Sequence, residues 1–266
     1  MPVCTLHLLS LTVPLQAFLQ TLSTLPEKPI LTAKVIRWII EPTSTNLSPL
    51  LSEQWHLFLI LPGSSLSLPA PLQKHTKAHF TIAAGIPSRI LSAFPDKNKS
   101  LLHPPPGSIP PLTGALDKPK VASSTKDLEL SPDLQSWIRI FGEQEGRSAV
   151  SMLNLLSFLP QKKASYLQYG AAFAKSIGSR RGGDAKIVGT VVSVEGKGKE
   201  ESNRLWDEVA VAHYPSIWHF ADMLASEDYQ EVNREFRVPA LRDTCILCTS
   251  EVGVGELAGG AGSAKL

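Results

Sequence analysis

Short apolar runs separated by turn residues mark out the second half of the chain. Ala149–Phe158 (AVSMLNLLSF), Ala185–Val194 (AKIVGTVVSV), Trp206–Tyr214 (WDEVAVAHY) and Asp243–Val252 have the length and β-branched content of strands. Between the first two, Tyr166, Tyr169, Phe173 and Ile177 recur at helical spacing. They predict a helix over Ser165–Ser179 with Ser165 as N-cap, stopped by Gly178 and the Gly182-Gly183 pair. A charged hairpin loop is expected over Gly196–Asn203. Pro215-Ser216 turns the third strand into a helix over Ile217–Ala225, and a second helical piece runs from Glu227 towards Arg237. The order is βαββαβ, a ferredoxin-like unit.

The first half repeats this order less distinctly. Val3–Leu11, Ile30–Ile40, Trp55–Leu61 and His79–Ile86 read as strands, and Pro14–Leu25 as a helix with proline near its start. Ala70–Lys77 has room only for a helical turn. No residue-level repeat links the halves, so shared element order alone suggests duplication. From Leu91 to Ser131 the chain carries Pro95, Pro104, Pro105, Pro106, Pro110, Pro111 and Pro119, which predicts an extended connector. The division is a degenerate ferredoxin-like domain over 1–92, a Pro-rich linker over 93–135, a ferredoxin-like domain over 136–252 and a flexible Gly/Ala-rich tail over 253–266.

Both faces of the second-half strands are apolar. Val150, Met152, Val188, Val192, Ala210 and Ala212 fall on one face, and Leu153, Leu155, Ile187, Val191, Val209 and Val211 on the other. Helices of a βαββαβ unit cover only one face, so the other must be buried against a second sheet. The predicted fold class is therefore α+β: two tandem ferredoxin-like units packed as an intramolecular α/β-barrel pseudo-dimer, the first degenerate. A monomer suffices for such a barrel, and a homodimer is compatible with it.

Bulk composition narrows the function classes. The chain has 266 residues, 43% of them hydrophobic and 19% charged, with a net charge of +2 and no long basic block. Nucleic acid is not an expected partner, because phosphate binding needs a concentrated cationic face. Met1–Phe18 is apolar but lacks a basic start and is interrupted by Pro14, and no apolar run reaches membrane-spanning length. No membrane association and a cytoplasmic location are expected. The cysteines are Cys4, Cys245 and Cys248, too few for a disulfide framework. Cys245 and Cys248 sit three apart on a strand and face opposite ways, which argues against a shared metal.

The candidate chemistry gathers at one strand end. His213 closes the third strand and is the candidate acid/base, since imidazole titrates near neutrality. Asn154 interrupts an apolar strand, where an amide needs partners, and reads as either a site residue or a structural hydrogen bonder. Tyr166, Tyr169, Tyr214, Trp218 and His219 complete the candidate substrate-binding set, with ordinary core packing as the competing reading of the aromatics. Arg180 and Arg181, between Gly178 and Gly183, suit either an anion-binding turn or a solvated helix end. There is no Ser-His-Asp order, paired metal-ligand motif or HExxH, so no cofactor or metal is expected.

Three segments carry a family resemblance: Met152-Leu-Asn-Leu-Leu-Ser-Phe158, the Tyr166…Tyr169 helix leading to a glycine-marked strand, and Tyr214-Pro-Ser…Phe220…Met223…Tyr229-Gln…Arg237…Ala240-Leu241. Over roughly Ser148 to Val252 the chain resembles a small bacterial domain-of-unknown-function family of the dimeric α/β-barrel (ferredoxin-like) superfamily. The first half lacks these signatures and looks like a degenerate partner, as in fused two-domain fungal proteins. The superfamily includes cofactor-free monooxygenases, lactone isomerases, polyketide cyclases and haem enzymes. The resemblance thus implies a small-molecule enzyme of cyclase, isomerase or monooxygenase type acting on an apolar or aromatic ligand. The alternative is a non-catalytic binding or scaffold protein whose aromatic cluster is structural. A third reading is haem binding through His213 or His219.

Overall fold

The computed structural model describes residues 1–43, 48–198 and 206–259. Most of the expected Gly196–Asn203 loop lies outside the described residues, as does the chain beyond residue 259. The first half contains β1 (Val3–Leu11), α1 (Leu15–Ser23), β2 (Leu31–Ile40), α2 (Ser48–Leu51), β3 (Leu57–Pro62), α3 (Ala70–Gln73), β4 (Thr76–Gly85) and α4 (Ser88–Leu102). The second contains α5 (Pro132–Gly142), β5 (Val150–Phe158), α6 (Lys163–Ala172), β6 (Asp184–Val194), β7 (Glu208–Tyr214), α7 (Ile217–Ala225), α8 (Glu227–Val232), β8 (Leu241–Ser250) and α9 (Val252–Gly259). No described helix is long and apolar enough to cross a membrane.

The strands form a closed antiparallel barrel in the order β1-β3-β2-β8-β5-β7-β6-β4. Each half supplies four consecutive places, β4-β1-β3-β2 and β8-β5-β7-β6. The seams between halves are β2 with β8 and β4 with β6. Closure pairs backbone groups that four-stranded sheets would leave bare at their edges. It also buries the two inner apolar faces against each other. Leu6, Leu8, Phe58, Ile60, Phe80 and Ile82 from the first half join Leu153, Leu155, Val209, Val211, Cys245 and Leu247 from the second in one buried cluster. The void among them is only about 10 Å³, room for no more than a water. The barrel interior is therefore a filled core. Cys245 belongs to this inner cluster and Cys248 to the helix-covered one outside, so strand alternation separates the two thiols as expected.

Three expectations need correction. The connector is not extended from Leu91: Ser88–Leu102 is a helix with Pro95 inside it. An internal proline forfeits one backbone hydrogen bond, and tertiary contacts outweigh that loss here. Phe94 is buried in the barrel core, Asn98 accepts from Lys186 Nζ at 2.8 Å and donates to Glu251 at 2.7 Å, and Lys97 pairs with Asp184 at 2.7 Å. The helix thereby plugs one barrel end. The start of the expected tail is also helical, over Val252–Gly259, where Gln16 donates to the Leu257 carbonyl. Ser165 is not the N-cap of α6, which begins at Lys163; its hydroxyl donates to the Phe236 carbonyl instead.

Beyond α4 the connector is docked rather than free. His219 Nε2 contacts the Pro110 carbonyl at 3.0 Å, and the Lys120 amide donates to the Ala225 carbonyl. Asn233 donates to the Asp127 carbonyl at 2.7 Å. The strongest fastening is ionic. Asp222, fully buried on α7, accepts from the Thr113 hydroxyl, from the Thr113 and Ala115 amides, and from Arg181 Nε at 2.9 Å. Arg181 also reaches Asp228 at 3.1 Å. Arg181 is thus a buried structural cation, neither solvated nor free to bind an anion. Gly182 sits beside it with φ +70, where an added Cβ would lie 2.6 Å from the Pro215 ring.

Removing one partner of a buried ion pair strands the other charge. Asp222→Ala is expected to lower unfolding free energy by about 3–5 kcal/mol, measured by urea denaturation. Replacing both partners with apolar residues (R181M with D222L) should recover most of that loss.

Candidate ligand site in the second half

A cavity of about 310 Å³ lies between the outer face of the second-half strands and α6. Its sheet floor is Met152, Asn154, Ala185, Val188, Ala210, Ala212 and Ile246, and its roof includes Tyr166, Tyr169, Gly170 and Phe173. Tyr214 and Phe220 close one side, and Leu128 reaches in from the connector. The void has a sequence cause. Ala185, Ala210, Ala212 and Gly170 are too short to fill the space that larger side chains would occupy. The first half shows the filled case. There Leu9, Leu57 and Leu59 on the sheet pack directly against Phe18, Leu19, Leu22, Leu68 and Leu72.

Polar groups are few and converge. Asn154 donates to its own strand at the Met152 carbonyl, 2.9 Å away. The Tyr169 and Tyr229 hydroxyls meet at 3.4 Å, and the Tyr166 and Tyr169 rings lie 5.4 Å apart. Burial pushes the Tyr166, Tyr169, Tyr214 and Tyr229 phenols above their ordinary range. They are neutral hydrogen-bond donors at physiological pH. Glu208, at the start of β7, brings a carboxylate into the cavity wall and pairs with Lys163 at 2.9 Å. Leu128 sits at φ 60, a left-handed conformation that is unfavourable for leucine. The Thr125 carbonyl and the Gln230 side chain hold it there, so its side chain covers the cavity.

The cavity unites Asn154, Tyr166, Tyr169 and Tyr214 from the expected set and leaves out three residues. His213 shares strand parity with Val209 and Val211, which face the barrel interior, while Ala210, Ala212 and Tyr214 face the cavity. The imidazole is buried at the barrel end that α4 plugs, across from Ser151 and Asp184 in the register. Its Nδ1 has no hydrogen-bond partner among the described residues. Trp218 donates to the Gly142 carbonyl at 3.1 Å and packs on α5. His219 uses both ring nitrogens, on Ser216 at 2.8 Å and on Pro110. His213, Trp218 and His219 therefore lie on other faces of β7 and α7 from the cavity. The residue that sequence reasoning missed is Glu208. The signal was present in Glu208-Val-Ala-Val-Ala-His-Tyr214, where Glu208 alternates onto the same face as the alanines and Tyr214.

Neither a protein-family model nor a curated protein matches this chain. Among solved structures, it is similar to the methylated RPA0582 protein at 22% identity, over 47% of this chain and 95% of that one, with a TM-score of 0.37. A second match is the RPA0582 protein of unknown function from Rhodopseudomonas palustris, at 23% identity over 45% and 94% of the two chains, TM-score 0.34. An anthrone oxidase-like protein matches at 10% identity over 100% of this chain and 97% of its own, TM-score 0.37. None of these likenesses assigns an activity to this chain.

Two buried imidazoles set an acid limit on the fold. Burial, then the charges of Lys186, His219 and Lys97, lowers His213 to about 3. Burial, then His79, lowers His7 to about 3, and its Nδ1 lies 2.7 Å from His79 Nε2. Both are bases whose folded pKa lies below the unfolded 6.5, so the unfolded chain binds the extra protons. Stability is fully present above about pH 6.5 and falls as pH drops towards 3. Melting temperature measured from pH 7.5 to 4.5 should decline, and His213→Gln should flatten part of that decline.

Proposed function

We propose that the chain is a small-molecule enzyme whose second-half cavity binds an aromatic or largely apolar substrate and moves a proton on it. The observation that carries this reading is the cavity itself: mostly apolar walls with a few convergent polar groups, kept open by alanine and glycine where the first half is filled by leucine and phenylalanine. Glu208 is the carboxylate in the wall and takes the part of general base. The neutral phenols of Tyr166 and Tyr169 and the Asn154 amide are suited to hold a carbonyl or phenol oxygen as charge develops on it. His213 is not assigned the acid/base role, because it faces the barrel core.

The architecture fits the same reading. The halves share one circular strand order, which supports two tandem ferredoxin-like units fused as an intramolecular pseudo-dimer. In this account the unit over 136–252 keeps the ligand cavity. The unit over 1–92 has lost it and serves to close the barrel, which makes a monomer sufficient.

Aromatic fragments screened by calorimetry should bind the wild-type protein. Ala210→Phe, which places a ring in the cavity, should weaken that binding at least about tenfold, or 1.4 kcal/mol. Its melting temperature should stay within a few degrees of wild type or rise. Unchanged fragment binding in the filled variant would contradict the assignment.

A further inference from the structure

The roof of the cavity rests on a helix with little to hold it folded. Of its ten residues, α6 buries only Tyr169, whereas α7 buries seven of nine. No side chain caps its start, and no acidic residue stands in its first turn. Lys162 and Lys163 are there instead, cations at the end of a helix where the backbone dipole repels them. α5 has the opposite arrangement, with Ser131 as cap, Asp133 in the first turn and Arg139 in the last. Gly170 weakens α6 from within, since glycine is a poorer helix former than alanine. Packing does not require it, because an added Cβ would meet nothing beyond the helix itself within 4 Å.

Both flanks of α6 are irregular as well. Gln161, just before it, has φ 63, an unfavourable left-handed conformation for a residue with a side chain. Just after it, Phe173–Ile177 widens into a π-helical turn, a feature frequent at functional sites. The helix is fastened by Lys163 Nζ, 2.9 Å from the Glu208 carboxylate, by the Ser165 hydroxyl on the Phe236 carbonyl, and by the contact of the Tyr169 and Tyr229 hydroxyls. Lys163 is about half-exposed, so its ion pair contributes little. The cavity meets solvent along this same helix. Leu167, Gly170 and Ala171 of α6 line it and are exposed, as is Ala185 at the start of β6. The lining residues Met152, Tyr214, Phe220 and Ile246 are buried.

We propose, building on the reading of this cavity as the ligand site, that α6 is its gate. The helix unfolds locally to admit a ligand and refolds over it. Gln161 and the Phe173–Ile177 turn are the hinges, and Lys163 on Glu208 is the latch. Opening is easy because α6 has little buried surface to lose, and each irregularity makes it easier. The latch carboxylate is the one in the cavity wall, so closure over a ligand and placement of the base coincide.

Hydrogen exchange of the full chain, resolved along the sequence, tests the gate without a ligand. The amides of residues 167–172 should exchange at least about tenfold faster than those of residues 221–225 in α7. Gly170→Ala should slow α6 about fivefold. In stopped-flow fluorescence, 2-naphthylmethanol should enter that variant more slowly by about the same factor. A saturating concentration of the same probe should slow α6 exchange in the wild-type protein. Exchange of α6 as slow as that of α7 would overturn the gate and leave the cavity reading intact. Probe binding that leaves α6 exchange unchanged would overturn it too, as would an entry rate that Gly170→Ala does not alter. If the probe does not bind at all while α6 still exchanges fast, the ligand-site reading fails, and the gate with it.

Discussion

Each half of this chain presents a four-stranded sheet with two bare edges and an apolar face that its own helices do not cover. Neither defect can be mended within one half. The β2–β8 and β4–β6 seams pair the edges, and the same closure presses the two inner faces into a single core with almost no residual space. Much of the remaining structure follows from that constraint. Once the interior is filled, the barrel cannot host a ligand, and any site must lie outside it, between strands and helices. Once each half supplies four places in the ring, the two outer faces become comparable, and their contrast is informative.

That contrast is one of side-chain size. Leucine and phenylalanine close the outer face of the first half. On the second, alanines on β6 and β7 and a glycine on α6 hold the same kind of interface apart. The groups around the opening are unusually constrained for a mere packing defect. Leu128 is held in a left-handed conformation over it, and the Tyr169 ring in its roof meets the rings of Tyr166 and Tyr229. Backbone strain lowers stability, and its place over the cavity fits the proposed ligand site. The docked connector belongs to the same construction, since it carries Leu128 and is fastened through Asp222 and Arg181.

Much of the fold was legible in the sequence. The strand and helix periods, the two apolar faces and the separation of Cys245 from Cys248 are local consequences of alternation. Asn154, Tyr166, Tyr169 and Tyr214 were legible for the same reason, as polar or aromatic interruptions in apolar elements. His213 shows where local reasoning stops. Its parity with Val209 and Val211 was readable, but which face looks into the barrel depends on a sheet that arrives from the other half. Arg181 was misread because its partners, Asp222 and Asp228, lie 41 and 47 residues away. The α4 plug was missed because Pro95 argues against helix locally, while the contacts that outweigh it lie at the barrel mouth. The cavity was invisible because short side chains on three separate elements create it together.

The outer face of the second half encloses a cavity, and that of the first is packed by leucine and phenylalanine. Xenon fills small apolar cavities and leaves packed cores unoccupied, so diffraction from xenon-pressurised crystals tests the claim directly. A xenon peak is expected between Ala210, Ala212 and the Tyr169 ring, and none between Leu57, Leu59 and Phe18. No peak beside the alanines, or an equal peak among the first-half leucines, would contradict it.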